Sequence, residues 1–177
     1  MKILVLEGSP HKKGSSNLLA NNFIKGATES GHEVQAYDVA HAKIGACMGC
    51  NACGMNGECI QKDDMVEIEK LILNSDMIVF VSPIYYFGIS AQLKTVIDRF
   101  YSFNTKLMNK GLKSALIVAA WDDSEQVTSF TKDHYLGICS YLGFENKGMV
   151  LGGGCGTPSM TQNTKYPQAA YELGKNL

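Results

Sequence analysis

The chain lacks an excess of either charge. Sixteen Lys and Arg stand against 17 Asp and Glu over 177 residues, for a net charge of −1. No basic surplus is on hand to hold nucleic acid or an anionic membrane surface, so neither is expected as a partner. Long apolar runs are missing too. The longest are about six to seven residues, against roughly 20 for a bilayer-spanning helix. The first residues, MKILVLEGSP, are not expected to act as a secretion signal, because Glu7 ends the apolar stretch at Leu6. A cytoplasmic location is therefore expected. There thiols stay reduced, which argues against a structural disulfide frame. No internal repeat, linker or low-complexity tract appears. Two nucleotide signatures are also absent. No G-x-G-x-x-G follows the first apolar run, and no Gly-Lys-Ser/Thr triplet closes a Walker A loop.

What is present is an alternation of short apolar runs and helical periodicities. Lys2 to Leu6, Met77 to Val81 and Ser114 to Ala120 read as strands buried on both faces. Glu33 to Val39 alternates and reads as a more exposed edge, and Gly148 to Leu151 as a last short strand. Between them, Leu19, Phe23 and Ala27 share one helical face, as do Ile89, Leu93, Val96, Ile97 and Phe100. Asp64 with Glu67 predicts a capping box ahead of Met65, Ile68, Leu71 and Ile72. Asp123 with Gln126 opens a helix that Gly143 closes, and Tyr166 to Asn176 forms the last one. The series βαβαβαβαβα predicts one domain over residues 1–177. Its expected form is an α/β doubly wound parallel sheet of five strands in three layers, in the flavodoxin-like order 2-1-3-4-5. A cysteine-rich insertion interrupts it at about 45–62.

Ligands of such sheets sit beyond the carboxyl ends of the strands. The first loop there is GSPHKKGSSN, Gly8 to Asn17, small and rich in hydroxyls and amides, running into a helix N-terminus. Free N–H groups and the positive end of the helix dipole suit a phosphate. Ser9, Ser15, Ser16 and Asn17 add donors, and Lys12 and Lys13 add charge. The plainer alternative is an N-cap on a serine-rich turn. The loop after the third strand, SPIYYFGISAQLKTVIDR, presents Tyr85, Tyr86, Phe87 and Gly88. Aromatic side chains at that edge suit a flat ring; the alternative is that they pack over the sheet end. The four histidines are scattered, and no nucleophile or acid–base pair stands out.

The segment CMGCNACGMNGEC places Cys47, Cys50, Cys53 and Cys59 at C-x2-C-x2-C-x5-C. Zinc sites usually draw on two separated pairs. Three thiols in seven residues instead match the density of a ferredoxin-type run, with the last gap longer and no following proline. The spacing leaves one [4Fe–4S] cluster, zinc, a redox disulfide between neighbours such as Cys50 and Cys53, or free thiols open. Cys139 and Cys155 read as an ordinary helix thiol and an ordinary loop thiol.

The two loops together closely resemble the flavodoxin-fold NAD(P)H-dependent FMN reductases, over roughly residues 1–120. The cysteine stretch followed by Lys62-Asp63-Asp64-Met65 resembles their iron–sulfur flavoprotein branch. The resemblance implies that Ser9, His11, Ser15, Ser16 and Asn17 wrap the FMN phosphate and ribityl chain. It places Pro83, Ile84, Tyr85, Tyr86, Phe87 and Gly88 along the isoalloxazine edge, with Ala119, Trp121 and Asp122 on the other side. It agrees with a [4Fe–4S] cluster on the four cysteines, and it implies a homodimer or homotetramer. The expected activity is flavin-borne electron transfer from NAD(P)H to an acceptor such as a quinone, a ferredoxin or another small molecule. The rival readings are an electron carrier without nicotinamide activity and a zinc-stapled or cofactor-free binding domain.

Overall fold

The computed structural model describes residues 1–177. Five parallel strands carry the sheet: β1 (Lys2–Glu7), β2 (Glu33–Asp38), β3 (Met77–Tyr85), β5 (Lys113–Ala119) and β6 (Glu145–Gly152). The two-residue strand β4 (Gly88–Ile89) pairs antiparallel with the end of β3. The order is β2-β1-β3-β5-β6, which is the expected 2-1-3-4-5 once β4 is set aside. Order reverses between β1 and β3, and that switch point opens a crevice at the carboxyl edge.

Strand periodicity divides the core in two. Ile3 and Val5 of β1 face one way and Leu4 and Leu6 the other, all buried. The first pair joins Val79, Ile117 and the helices α1 (Ser15–Glu29) and α7 (Tyr166–Lys175), through Leu19, Phe23 and Ala170. The second joins Phe80, Leu116 and three helices: α2 (Met65–Asn74), α3 (Ala91–Arg99) and α5 (Glu125–Leu142). A short 3₁₀ turn (Phe100–Phe103) and α4 (Asn104–Met108) extend α3, and α6 (Pro158–Gln162) precedes α7.

Helices α1 and α7 touch backbone to backbone. A Cβ on Gly26 would stand 2.1 Å from the Tyr171 carbonyl oxygen, and one on Gly174 would stand 2.2 Å from that of Phe23. The two glycines therefore set how deeply α7 seats against α1. Gly143 ends α5 in the left-handed region (φ 69°), as its position after the periodic run predicts.

The capping box does not form. Asp64 is the N-cap residue of α2, but its side chain makes no cap bond. Its carboxylate accepts instead from the Lys43 N–H at 2.7 Å. Glu67 accepts from the Tyr37 hydroxyl at 3.3 Å. Both carboxylates are drawn to the chain that precedes the cysteine segment, a demand from outside the helix that local sequence does not reveal.

Candidate flavin cleft and cysteine loop

The crevice at the switch point is about 470 Å³, within the ~300–1,000 Å³ of small-molecule sites. Its floor is the loop between β1 and α1. Ser9 is buried, its hydroxyl donating to the His11 carbonyl (3.1 Å) and accepting from the His11 N–H (3.2 Å). The Gly14 N–H closes the same turn onto the His11 carbonyl at 2.8 Å. A Cβ at Gly14 would lie 2.9 Å from that oxygen, so the turn needs glycine there. Asn17 braces the loop by donating to the Lys12 carbonyl at 3.3 Å.

The first turn of α1 contains no acidic residue and no side-chain cap, so its N–H groups and positive dipole end are uncompensated. Three buried atoms there have no hydrogen-bond partner: Ser15 Oγ, Ser16 Oγ and Asn17 Oδ1. An orphaned buried polar group costs about 1–3 kcal/mol. The Ser15 and Ser16 hydroxyls line the cleft and are free to donate, the chemistry of a place awaiting an acceptor-rich group such as a phosphate, whereas Asn17 Oδ1 can only accept and stands behind the lining.

The second wall is the end of β3. Pro83, Ile84 and Tyr85 line the cleft. Ser82 Oγ takes the Ser90 N–H at 2.8 Å, and Ser90 Oγ donates to the Gly8 carbonyl at 2.6 Å, tying this wall to the floor. Tyr86 and Phe87 form the tip of the β3–β4 hairpin with φ of 46° and 65°, the signs of a type I′ turn that ordinarily favours Asn and Gly. Phe87 does not face the cleft. It packs edge-on against Phe130 of α5 at 5.8 Å, and its carbonyl accepts from Thr131 at 2.9 Å. Tyr86 stands fully in solvent. Of the three ring-loop aromatics, then, one lines the cleft, one packs on a helix and one is free; Gly88 is in β4, outside the lining.

The third wall is the loop after β5. Ala119 and Trp121 line the cleft. The Asp122 carboxylate turns away to accept the Ser124 N–H at 2.7 Å, and that bond with the Ser124 hydroxyl holds it below the usual carboxylate range. A fourth wall was not anticipated. Cys155, Gly156, Thr157 and Pro158, beyond β6, complete the lining. Gly156 backs the Trp121 indole, since a Cβ there would lie 2.4 Å from Cε3. Cys155 is buried, and burial raises its thiol pKa, so it sits in the wall as a neutral thiol. The signal was available: LGGGCGTP follows a strand at the same carboxyl edge as the other loops.

The four clustered cysteines lie elsewhere; none lines the cleft. Cys47 and Cys50 are exposed, Cys53 and Cys59 half-buried, and all are free thiols. Gly49, Asn51, Gly54 and Met55 take positive φ, curling the loop. Its tip rests on the 3₁₀ turn and α4 that extend α3, not at the cleft: the Thr105 N–H donates to the Met55 carbonyl at 3.3 Å, and Tyr101 to Asn51 at 2.8 Å. The thiols do not converge, and no three Cys, His, Asp or Glu side chains form a ready metal site. As a donor set, four thiols in one loop suit a thiolate-bound centre, but the tip has to close further to gather them.

The neck of this loop is tightly built. Arg99 at the end of α3 is 2% exposed. It donates to the Gly45 carbonyl (2.8 Å), the Gln61 carbonyl (3.3 Å) and both Asp63 carboxylate oxygens (2.7 and 3.2 Å). Asp63 also accepts from the Gly45 N–H at 2.9 Å, and Gln61 Nε2 donates to the Ala46 carbonyl at 3.0 Å.

A parallel five-stranded sheet with an anion-ready crevice at its switch point defines the flavodoxin-like class of α/β proteins. The chain matches the NADPH-dependent FMN reductase family over residues 1–132 and belongs to it. An iron–sulfur flavoprotein of Archaeoglobus fulgidus is 36% identical over 132 residues, covering 73% of this chain and 60% of that protein. One from Methanocaldococcus jannaschii is 30% identical over 181 aligned positions, covering 100% and 93%. The chain thus spans about 60% of the first and nearly all of the second. Among solved structures, an NAD(P)H:quinone oxidoreductase from Methanothermobacter marburgensis superposes with a TM-score of 0.78 at 19% identity, over 99% of this chain and 95% of that one. An FMN-dependent NADH-azoreductase from Bacillus anthracis, solved with FMN, gives 0.69 at 14%, over 99% of each chain. These two share the fold. No helix is long and apolar enough to cross a membrane.

Proposed function

We propose that the protein is an FMN-dependent oxidoreductase that takes electrons from NAD(P)H and passes them to an acceptor outside the cleft. The observation that carries the reading is the pair of orphaned hydroxyls at Ser15 and Ser16, in a first helical turn without a carboxylate. These residues and the uncapped N–H groups would hold the FMN phosphate. Pro83, Ile84 and Tyr85 would border the ring on one side, and Trp121, braced by Gly156, on the other. Bound FMN supplies the hydride chemistry and exchanges electrons singly or in pairs. The side chains bind, orient and shield, and the cleft needs no nucleophile of its own.

The Cys47, Cys50, Cys53 and Cys59 loop is proposed to carry a [4Fe–4S] cluster. Its support is the donor set and spacing, together with the iron–sulfur flavoprotein relatives. The loaded loop has to draw Cys47 and Cys50 in from solvent while the neck stays fixed. Quinones and other small oxidants are proposed as acceptors, and a homo-oligomer as the working form.

Anaerobic purification and an absorption spectrum test the reading. Flavin bands that bleach on adding NADH or NADPH are expected, with a broad brown shoulder when the loop is loaded. A colourless protein that refuses added FMN would defeat the flavin reading, and flavin bands with no iron after reconstitution would remove the cluster.

A further inference from the structure

We propose that Arg99 is the positioning residue of the cysteine loop: it locks the neck and presents a free N–H to the sulfur of Cys59. The proposal rests on the reading of the loop as a cluster site and goes beyond it. Four of the guanidinium's contacts are spent on residues 45, 61 and 63, which flank the cysteines on both sides. Its remaining group, Nε, is buried and has no partner. A buried charged donor left unpaired is costly. Cys59 and Arg99 line one small hollow beside α2, together with Gln61 and Met65.

The geometry gives the four cysteines unequal standing. Cys59 is two residues from Gln61, inside the clamped neck. Cys47 is likewise two residues from Gly45, but it is exposed. Cys59 is thus the fixed point onto which the exposed part of the ligand set closes. An N–H donated to a ligand sulfur also raises the reduction potential of an iron–sulfur centre, so the same residue sets both place and potential. Arg99 ends α3, whose N-cap residue Ser90 donates to the Gly8 carbonyl, so it also ties the loop to the base of the cleft.

The test uses Arg99→Lys, which keeps the charge and loses the fork. FMN content is expected to match wild type, since Arg99 is not in the cleft lining. In iron-free protein the Gly45 amide should exchange about tenfold faster, the loss of one charge-assisted bond. After anaerobic reconstitution with ferrous iron and sulfide, retained iron should fall by about half or more, and the midpoint potential of the remaining centre should drop. Wild-type iron content at an unchanged potential overturns the proposal. If wild-type protein itself takes up no iron, the cluster reading falls and the positioning claim is decided on thiols. Iodoacetamide should then modify Cys59 about tenfold more slowly than Cys47 in wild type, with the gap closing in Arg99→Lys; a gap that persists overturns it. Should Arg99→Lys fail to fold, Asp63→Asn keeps the arginine and loosens its seat. Smaller changes in the same direction support the proposal, and wild-type values there refute it.

Discussion

The indole of Trp121 lies on the bare α-carbon of Gly156, so that a methyl group at 156 would meet the ring at 2.4 Å. Trp121 is the only tryptophan, so its emission reports directly on this contact. Gly156→Ala should shift the emission and weaken FMN binding by about tenfold, an amount set by about 1.4 kcal/mol. Stability should change by less than about 1 kcal/mol, because the exposed ring can swing aside. Fluorescence titration with FMN and a melting curve read both effects; tight FMN binding with unshifted emission would contradict the wall assignment.

Ser16→Ala offers a stability–function opposition. The Ser16 hydroxyl is buried without a partner in the ligand-free protein. Removing it should leave apoprotein stability unchanged or raise it by up to about 1 kcal/mol, while FMN affinity falls about tenfold. Urea denaturation without FMN, set beside an FMN titration, checks the two signs. A variant that loses stability without losing FMN would assign Ser16 to packing.

Gly26→Ala should be among the worst substitutions in the chain. Alanine gains about 1 kcal/mol of helix propensity over glycine. Here its methyl group meets backbone, the Tyr171 carbonyl at 2.1 Å, which cannot move without displacing α7. A net loss of about 2–3 kcal/mol is expected from overpacking, measurable by urea denaturation. The N-terminus of α1 floors the cleft, so FMN affinity should weaken as well.

Two histidines should shape stability on the acid side of neutrality. Burial, then Lys94, holds His134 below its ordinary value, with Asp98 opposing. Burial, then the N-terminal amine, does the same for His32. A depressed folded pKa contributes stability that is fully present above the unfolded value of about 6.5. That stability is lost as pH falls toward the folded value. Denaturation midpoints should therefore decline from pH 7 toward 5, and His134→Gln should flatten part of the slope. A slope equal to that of wild type would locate the proton uptake elsewhere.

The sheet was legible because its strands β1, β3 and β5 are unbroken apolar runs, and burial on both faces leaves no other reading. Helices α1 and α3 were legible from Leu19, Phe23 and Ala27 and from Leu93, Val96 and Ile97, while Ile89 and Phe100, expected on the same face, lie in β4 and in the 3₁₀ turn that flank α3. Strand β4 is only two residues and leaves no pattern. The capping box was misread because Asp64 and Glu67 answer to Lys43 and Tyr37, more than 20 residues away. Nine predicted residues, from Ser9 and His11 to Ala119 and Trp121, meet at the cleft, because loops at one sheet edge must. Asn17 braces the cleft from behind. Tyr86, Phe87 and Gly88 stand off it, since a hairpin turn sends neighbours to opposite sides, and Asp122 turns away to the Ser124 N–H. The Asp63–Arg99 pair spans 36 residues, and no local spacing announces it.

That pair bears on how such a loop can be inherited. Grafting residues 47–59 alone onto a flavodoxin-like relative would transfer the ligands and leave behind their hinge. A working transplant has to carry two distant letters, an aspartate just past the last cysteine and an arginine closing the next strand's helix. The portable unit is therefore discontinuous in sequence.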